Sequence, residues 1–200
     1  YQYGQTERES DKSDKGLYVM TDDYGESYYY RGSVSNNYVK FAGYYWRIVR
    51  INGDRSTRLL YAGETAKATG NELNMNLTDS SLGYVNQRTS RFSSQNVNPA
   101  YVGYMYGSVL NSSYGETNAN EFDSEIKKYL DSWYKQNILD KGYNEYVADS
   151  GFCNDRSLSS GDGVLTDKNT FYSGYQRYYD KHSPTLTCSN KENDLFTTST

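Results

Sequence analysis

Residue types able to do chemistry are few in this chain and scattered along it. His182 is its single histidine, so any Ser–His–Asp or Cys–His arrangement would have to use that residue. It lies in Asp180-Lys181-His182-Ser183-Pro184, a polar turn that predicts a solvated side chain rather than a general base. Cys153 and Cys188 are the two cysteines. An even count in a chain rich in Tyr, Ser and Asn predicts a disulfide formed in an oxidising compartment. The loop closed, 36 residues counted inclusively, would add roughly 4 kcal/mol of stability in the chain-entropy account. Two reduced thiols are the alternative. Zinc fits less well, because one His and two Cys lack paired-ligand spacing.

Asp155, Asp162 and Asp167, with Asn154 and Asn169, carry oxygens that calcium accepts. They lack the alternate-position spacing of a calcium loop that ends in a bidentate Glu. A polar loop is the expectation there, with no metal and no other cofactor. Among 25 Asp and Glu, no two stand out as the acid and nucleophile of a glycosidase. No catalytic residue is therefore assigned.

Tyrosine is the unusual component, at 24 of 200 residues. Exposed phenol rings stack on sugars and fill protein interfaces at low entropic cost. Equally, tyrosine suits a strand that has one wet end. Leu, Ile, Val and Phe together supply 33 residues. So small a share suggests disorder only when joined to a large net charge. With a net charge of −4 and buried aromatics removing about 150–250 Å² each from water, a folded domain is expected.

Charge is mixed, 21 Lys and Arg against 25 Asp and Glu, without a basic stripe. Nucleic-acid binding, which needs clustered positive charge, is disfavoured. No apolar run of the length needed to span a bilayer is present, so no membrane contact by this segment is expected.

Local pattern supplies the elements that would position these groups. Residues 1–15 carry charge without apolar periodicity and are expected to be a linker or disordered lead-in. Residues 16–200 are expected to form one α+β domain. Leu17–Met20 and Ser27–Gly32 around Asp23-Tyr24-Gly25-Glu26 predict a hairpin. A second is predicted from Tyr44-Tyr45-Trp46-Arg47-Ile48-Val49-Arg50-Ile51 and Thr57–Tyr61, reversing at Asn52-Gly53, residues that tolerate positive φ. Alternation puts Trp46 and Ile48 in the core and Arg47 in solvent. Residues 62–100 read mostly as loop, Tyr101–Tyr106 as a strand.

Ile126, Leu130 and Trp133 fall at i, i+4 and i+7 and predict a helix over about 123–138. Asn120 or Asp123 would cap its start, and Gly142 would follow its end. The expected core is thus Trp46, Ile48, Ile126, Leu130 and Trp133. Residues 154–168 read as loop, Phe171–Tyr179 as a short helix or an extended run, and Thr185–Cys188 as a last strand. The expected fold is α+β and loop-rich, with antiparallel hairpins packed against one main helix. Gly-Tyr pairs at 43, 83, 103, 142 and 174 have no common interval, so no repeat is inferred.

Gly43-Tyr44-Tyr45-Trp46-Arg47-Ile48-Val49-Arg50-Ile51-Asn52-Gly53-Asp54 also carries a family resemblance. It is joined by Tyr28-Tyr29-Tyr30-Arg31-Gly32, Asn36-Asn37-Tyr38-Val39, Ile126-Lys127-Lys128-Tyr129-Leu130-Asp131-Ser132-Trp133-Tyr134 and Phe152-Cys153-Asn154-Asp155. In this order the motifs resemble a Tyr-rich extracellular domain common in Gram-positive gut bacteria, over roughly Leu17 to Phe196. The resemblance implies an anchor or pilin-like leader outside this segment. It also implies further blocks beyond Phe196, so the C-terminal part of the domain is expected to be missing. The family has no assigned activity, and no catalytic residue is carried over. One departure is Arg55, where the family's turn reads Asn-Gly-Asp-Gly; if the site needs positive φ, the cost is about 1 kcal/mol. The order of helix then loops is similar to C-type-lectin-like domains at the level of fold alone, and their Glu-Pro-Asn ligand tripeptide is absent.

The expected function is a secreted or cell-surface binding, adhesion or structural module, with no catalysis. Its expected partners are a glycan or a host or neighbouring surface protein. The alternative is a secreted carboxylate-dependent glycosidase or other cell-wall-acting enzyme.

Overall fold

A computed structural model of the chain describes residues 2–3, 16–31, 34, 37–63, 103–107, 113–164 and 169–197. Contacts group them into two compact units, Tyr1–Thr89 and Ser90–Thr200, inside the span that the sequence assigns to a lead-in and one domain. The class is α+β: antiparallel hairpins dominate the first unit, and the main helix belongs to the second.

Unit 1 holds a six-stranded sheet of β1 (Gln2–Tyr3), β2 (Gly16–Asp22), β3 (Gly25–Arg31), β4 (Tyr38–Phe41), β5 (Tyr44–Ile51) and β6 (Thr57–Gly63). Strand β1 lies within the expected lead-in and pairs in parallel with Tyr18 and Val19 of β2. Strands β2 and β3 form the first expected hairpin, from Gly16↔Arg31 to Asp22↔Gly25. Strand β5 is the hub. Strand β6 runs along one edge of it, while its other edge is shared by β4 against Tyr44–Arg47 and β3 against Arg50–Ile51. Asn37 sits at the seam between those two partners. Its carbonyl accepts from Ile48 N (2.8 Å) and its side-chain amide donates to Ile48 O (2.9 Å). A gap in the ladder would otherwise orphan both groups.

Burial across β5 corrects the sequence expectation. Arg47 is 6% exposed, whereas Trp46 and Ile48 are only half-buried. Burial does not alternate along β5: Arg47 alone is buried, and its neighbours on both faces are half-buried or exposed, so polarity does not identify the covered side. Arg47 is retained inside by partners: it donates to Asn37 Oδ1 and to Val34 O, and its guanidinium lies 5.0 Å from the Tyr38 ring centre. On the other face Trp46 meets Tyr61 edge-on at 5.4 Å and donates Nε1–H to Phe41 O.

The β5–β6 turn puts its strain on Arg55, the departure noted in the sequence, and not on Asn52 or Gly53. Positive φ falls on Arg55, at 76°, after a turn closed by Arg55 N on Asn52 O. Gly53 is needed for a different reason. A Cβ there would lie 2.4 Å from Gly25 N, because the β2–β3 turn packs against it. Asp22 staples the two turns, accepting from Tyr24 N, Gly25 N and Gly53 N. Asn52 lies beneath them and accepts from both Arg50 and Arg58.

Unit 2 begins with β7 (Met105–Tyr106), the described part of the expected strand at 101–106; residues 101–102 lie outside the described residues. Helix α1 (Tyr114–Thr117) and β8 (Phe122–Asp123) follow, and β8 pairs with β7. Next comes α2 (Glu125–Tyr134), extended by a π-helical turn, Lys135–Leu139. Together they realise the helix predicted over 123–138. Its cap is Ser124, whose Oγ accepts from Lys127 N, rather than Asn120 or Asp123. The end follows the prediction: Gly142 adopts φ 76°, with Gly142 N on Leu139 O and Tyr143 N on Ile138 O, a Schellman motif. Ile126, Leu130 and Trp133 are half-buried, so none of the five predicted core residues is fully inside.

The rest of unit 2 is short pieces. Strand β9 (Phe152–Cys153) pairs with β12 (Leu195–Phe196), and β10 (Leu158–Ser160) with β11 (Phe171–Tyr172). Helix α3 (Ser173–Tyr175) continues as a π-helical turn, Gln176–Asp180, and α4 (Lys191–Asp194) leads into β12. The strand expected at Thr185–Cys188 reduces to a single bridge at Leu186. Described buried residues in both units are mainly polar. That fits the thin aliphatic supply, and directed hydrogen bonds do the organising. Residues 64–100, expected as loop, lie outside the described residues.

Candidate functional site

The segment Cys153-Asn154-Asp155-Arg156, which ends β9 and enters the expected loop, organises unit 2. Cys153 is bonded to Cys188 with their Cα atoms 5.6 Å apart, as predicted. Asn154 accepts from Tyr104 N and donates to Asn120 Oδ1. Arg156 is fully buried and spends its fork on fixed acceptors: Asp194 Oδ1 at 2.8 Å, Met105 O at 2.7 Å, Asn118 O at 2.5 Å and Asn120 Oδ1 at 2.8 Å. Asp194 is equally buried, and its second oxygen accepts from Arg156 N. A planar five-donor guanidinium is the side chain able to tie four separate segments at one point.

Asp155 stands in the left-handed region, φ 54°, and turns its carboxylate the other way. It accepts from Arg177 Nη2 and from Ser189 Oγ, beside the disulfide. This anchors the helix of residues 173–180. Gly174 lets it approach, since a Cβ there would lie 2.9 Å from Asp155 Oδ2. Ser173 N donates to Ser157 O and Ser173 Oγ to Leu158 O. The helix therefore directs its small and polar residues inward. Its outward stripe is aromatic, with Tyr175 52% exposed, Tyr178 71% and Tyr179 62%, and Phe171 of β11, just before it, is 48% exposed. Within the helix, residues three and four apart share a face, and the Phe171 ring continues the row from the strand that leads into it. Phe171 and Tyr175 centres are 6.3 Å apart, Tyr175 and Tyr179 5.1 Å apart and 17° from parallel.

This inverted helix is the feature that sequence reasoning missed. Phe171–Tyr179 shows Tyr at the right spacing, but the reason those rings face water is Asp155, which is remote in sequence. The other candidates are dispersed. His182 is exposed, with φ 50°. Asp162 accepts from Val164 N, Asn169 is exposed, and Asp167 lies outside the described residues. Among the described residues no three His, Cys, Asp or Glu are grouped so as to hold a metal, and no helix is long and apolar enough to cross a membrane.

Two carboxylates, Asp123 and Asp131, do come together, but on the Nζ of Lys127, at 3.0 and 2.8 Å. Burial alone would lower the Lys127 pKa; the hydrogen bonds and charges of Asp131 and Asp123 outweigh it and raise the pKa above the ordinary lysine range. Burial first, then the Asp131 charge, pushes the Tyr104 phenol up to about 12. Burial likewise raises Tyr172 to about 12, with the Tyr114 charge second. No family model, curated protein or solved structure matches the chain.

Proposed function

We propose that this chain is a non-catalytic binding module of the extracellular or cell-surface space, with the row Phe171, Tyr175, Tyr178 and Tyr179 as its contact surface. The single observation that carries the reading is the inversion of the 173–180 helix. A marginal helix ordinarily gains its stability by burying its apolar stripe. Here its three tyrosines, with Phe171 just before them, face water while Gly174 and Arg177 occupy the buried side. Tyrosine presents a rigid amphipathic surface at small entropic cost, the property that interfaces select. The disulfide, which supports the secreted setting, lies beside the Asp155 anchor and stiffens the base of the helix.

The enzyme alternative requires a carboxyl in an apolar setting beside a second carboxylate. Asp155, Asp194, Asp123 and Asp131 are all engaged by cations instead. The test is a screen of the full chain against immobilised surface glycans and surface proteins. Tyr175→Ala/Tyr179→Ala should abolish the captured signal while the urea midpoint stays within about 0.5 kcal/mol of the parent, as for a surface change. Capture that survives the double substitution overturns the assignment of this surface.

A further inference from the structure

We infer that the aromatic row on the 173–180 helix takes a neutral, extended polysaccharide, an inference that rests on the binding reading above. Three observations select this occupant.

The first is charge. Arg177, the cation of the helix's inner side, is matched by Asp155, and the helix exits through Asp180 and Lys181, one of each sign. Among the described residues of the helix the charges thus cancel, so the row offers a polyanion, phosphate or charged peptide no excess of opposite charge.

The second is area. Four rings that remove about 150–250 Å² each when wholly buried, and are already near half covered, leave roughly 400–500 Å² to bury. A stable protein interface needs about 800 Å² per partner. A second copy of this chain, or another folded protein, would find the row too small. One face of a sugar chain would not.

The third is shape and chemistry. Three of the rings stand on the exposed face of the helix and Phe171 on the strand that leads into it, and a ligand is held by stacking along the row. The three outermost rings are tyrosines, whose apolar faces suit the C–H face of a pyranose and whose hydroxyl edges suit its O–H groups. From Phe171 to Tyr175 to Tyr179 the ring centres step 6.3 and 5.1 Å. A polymer that meets successive rings gains from each one, whereas a monosaccharide meets one ring and is held weakly. Affinity per site is then modest, and display of many copies on one surface multiplies it.

Affinity electrophoresis of the full chain tests this. The net charge of −4 carries it through native gels cast with a hydroxyethylated β-glucan, a mannan, an α-glucan or heparin. We expect retardation by at least one neutral polysaccharide and none specific to heparin. Tyr175→Ala/Tyr179→Ala should weaken retention about tenfold or more, a hot-spot-sized loss. Tyr146→Ala, as exposed as Tyr178 at 71% but off the row, should leave it unchanged. A urea unfolding curve matching the parent's confirms the fold of each variant, and Tyr178→Ala repeats the test at the most exposed ring.

Retardation by heparin alone, or neutral retention indifferent to the ring substitutions, overturns the inference. So does a concentration-dependent dimer broken by the double variant, which would make a second copy the occupant. If no polysaccharide is retained yet a surface protein is, and the double variant loses it, the glycan inference falls while the binding reading stands. New reducing ends released from a polysaccharide by the wild-type chain would overturn the non-catalytic reading itself.

Discussion

Arg55 is the residue whose local chemistry and conformation disagree most plainly. It holds φ 76° at the close of the β5–β6 turn, in the left-handed region that a Cβ disfavours by about 1–2 kcal/mol. Its side chain is exposed, and its role in the turn is the backbone bond from its N–H to Asn52 O, which any residue but proline supplies. Arg55→Gly is therefore expected to stabilise unit 1 by about 1 kcal/mol, part of the relief being offset by glycine's freedom in the unfolded chain. Urea unfolding followed by Trp46 fluorescence measures it, and a midpoint that does not move would show that the turn tolerates the side chain without strain. The resemblance to a family with glycine at this position allowed the strain to be foreseen. The role of Gly53 was not foreseeable, because its neighbour Gly25 belongs to a different hairpin.

At the scale of elements, the outcome separates patterns that are local from those that are not. The hairpins at 16–31 and 44–63 and the helix from Glu125 were legible because alternation, the period of 3.6 and the Gly142 stop are all written within one segment. Arg47 and the 152–156 segment were not, since what buries them is a partner elsewhere: Asn37 in one case, Asp194 and Asn118 in the other. The same distinction orders the mutational costs. Asp194→Asn leaves the Arg156 guanidinium buried and uncompensated, and is expected to cost about 3–5 kcal/mol. Asp140→Asn, which removes the exposed Lys135 contact, is expected to cost under about 1 kcal/mol. Denaturant midpoints of the two variants give the comparison, and similar small losses would mean that Arg156 relaxes to water.

Alkali should act on unit 2 through Tyr104, Tyr172 and Lys127. Each holds its proton more tightly in the fold than in the unfolded chain, so the stability they lend is whole below pH 10 and falls as pH rises from 10 towards 12. Tyrosinate absorbance should show a late fraction of the phenols ionising together with unfolding; uniform titration near pH 10 would contradict it.

For the whole molecule, the disulfide belongs to one unit only. Cys153 and Cys188 both lie in Ser90–Thr200, and opening their loop should cost that unit roughly 4 kcal/mol. Under dithiothreitol, amides of α2 and of the 152–156 segment are expected to lose protection from hydrogen exchange while those of β5 keep theirs. Equal loss in both units would reveal a cooperative link between them.

The wiring of Arg156 has a consequence for how fast the chain reaches its native state. Most ladders of unit 1 join residues close in sequence, as in β2–β3 and β5–β6. Arg156 instead gathers partners 36 to 51 positions away, and none of them is rewarded until long loops have closed. Search time grows with such separations. Each unit carries one tryptophan, Trp46 in the first and Trp133 in the second. Refolding should accordingly proceed in two tempos, the Trp46 signal settling early and the Trp133 signal trailing it. A chain emerging from a ribosome would carry a finished hairpin sheet well before the second cysteine appears.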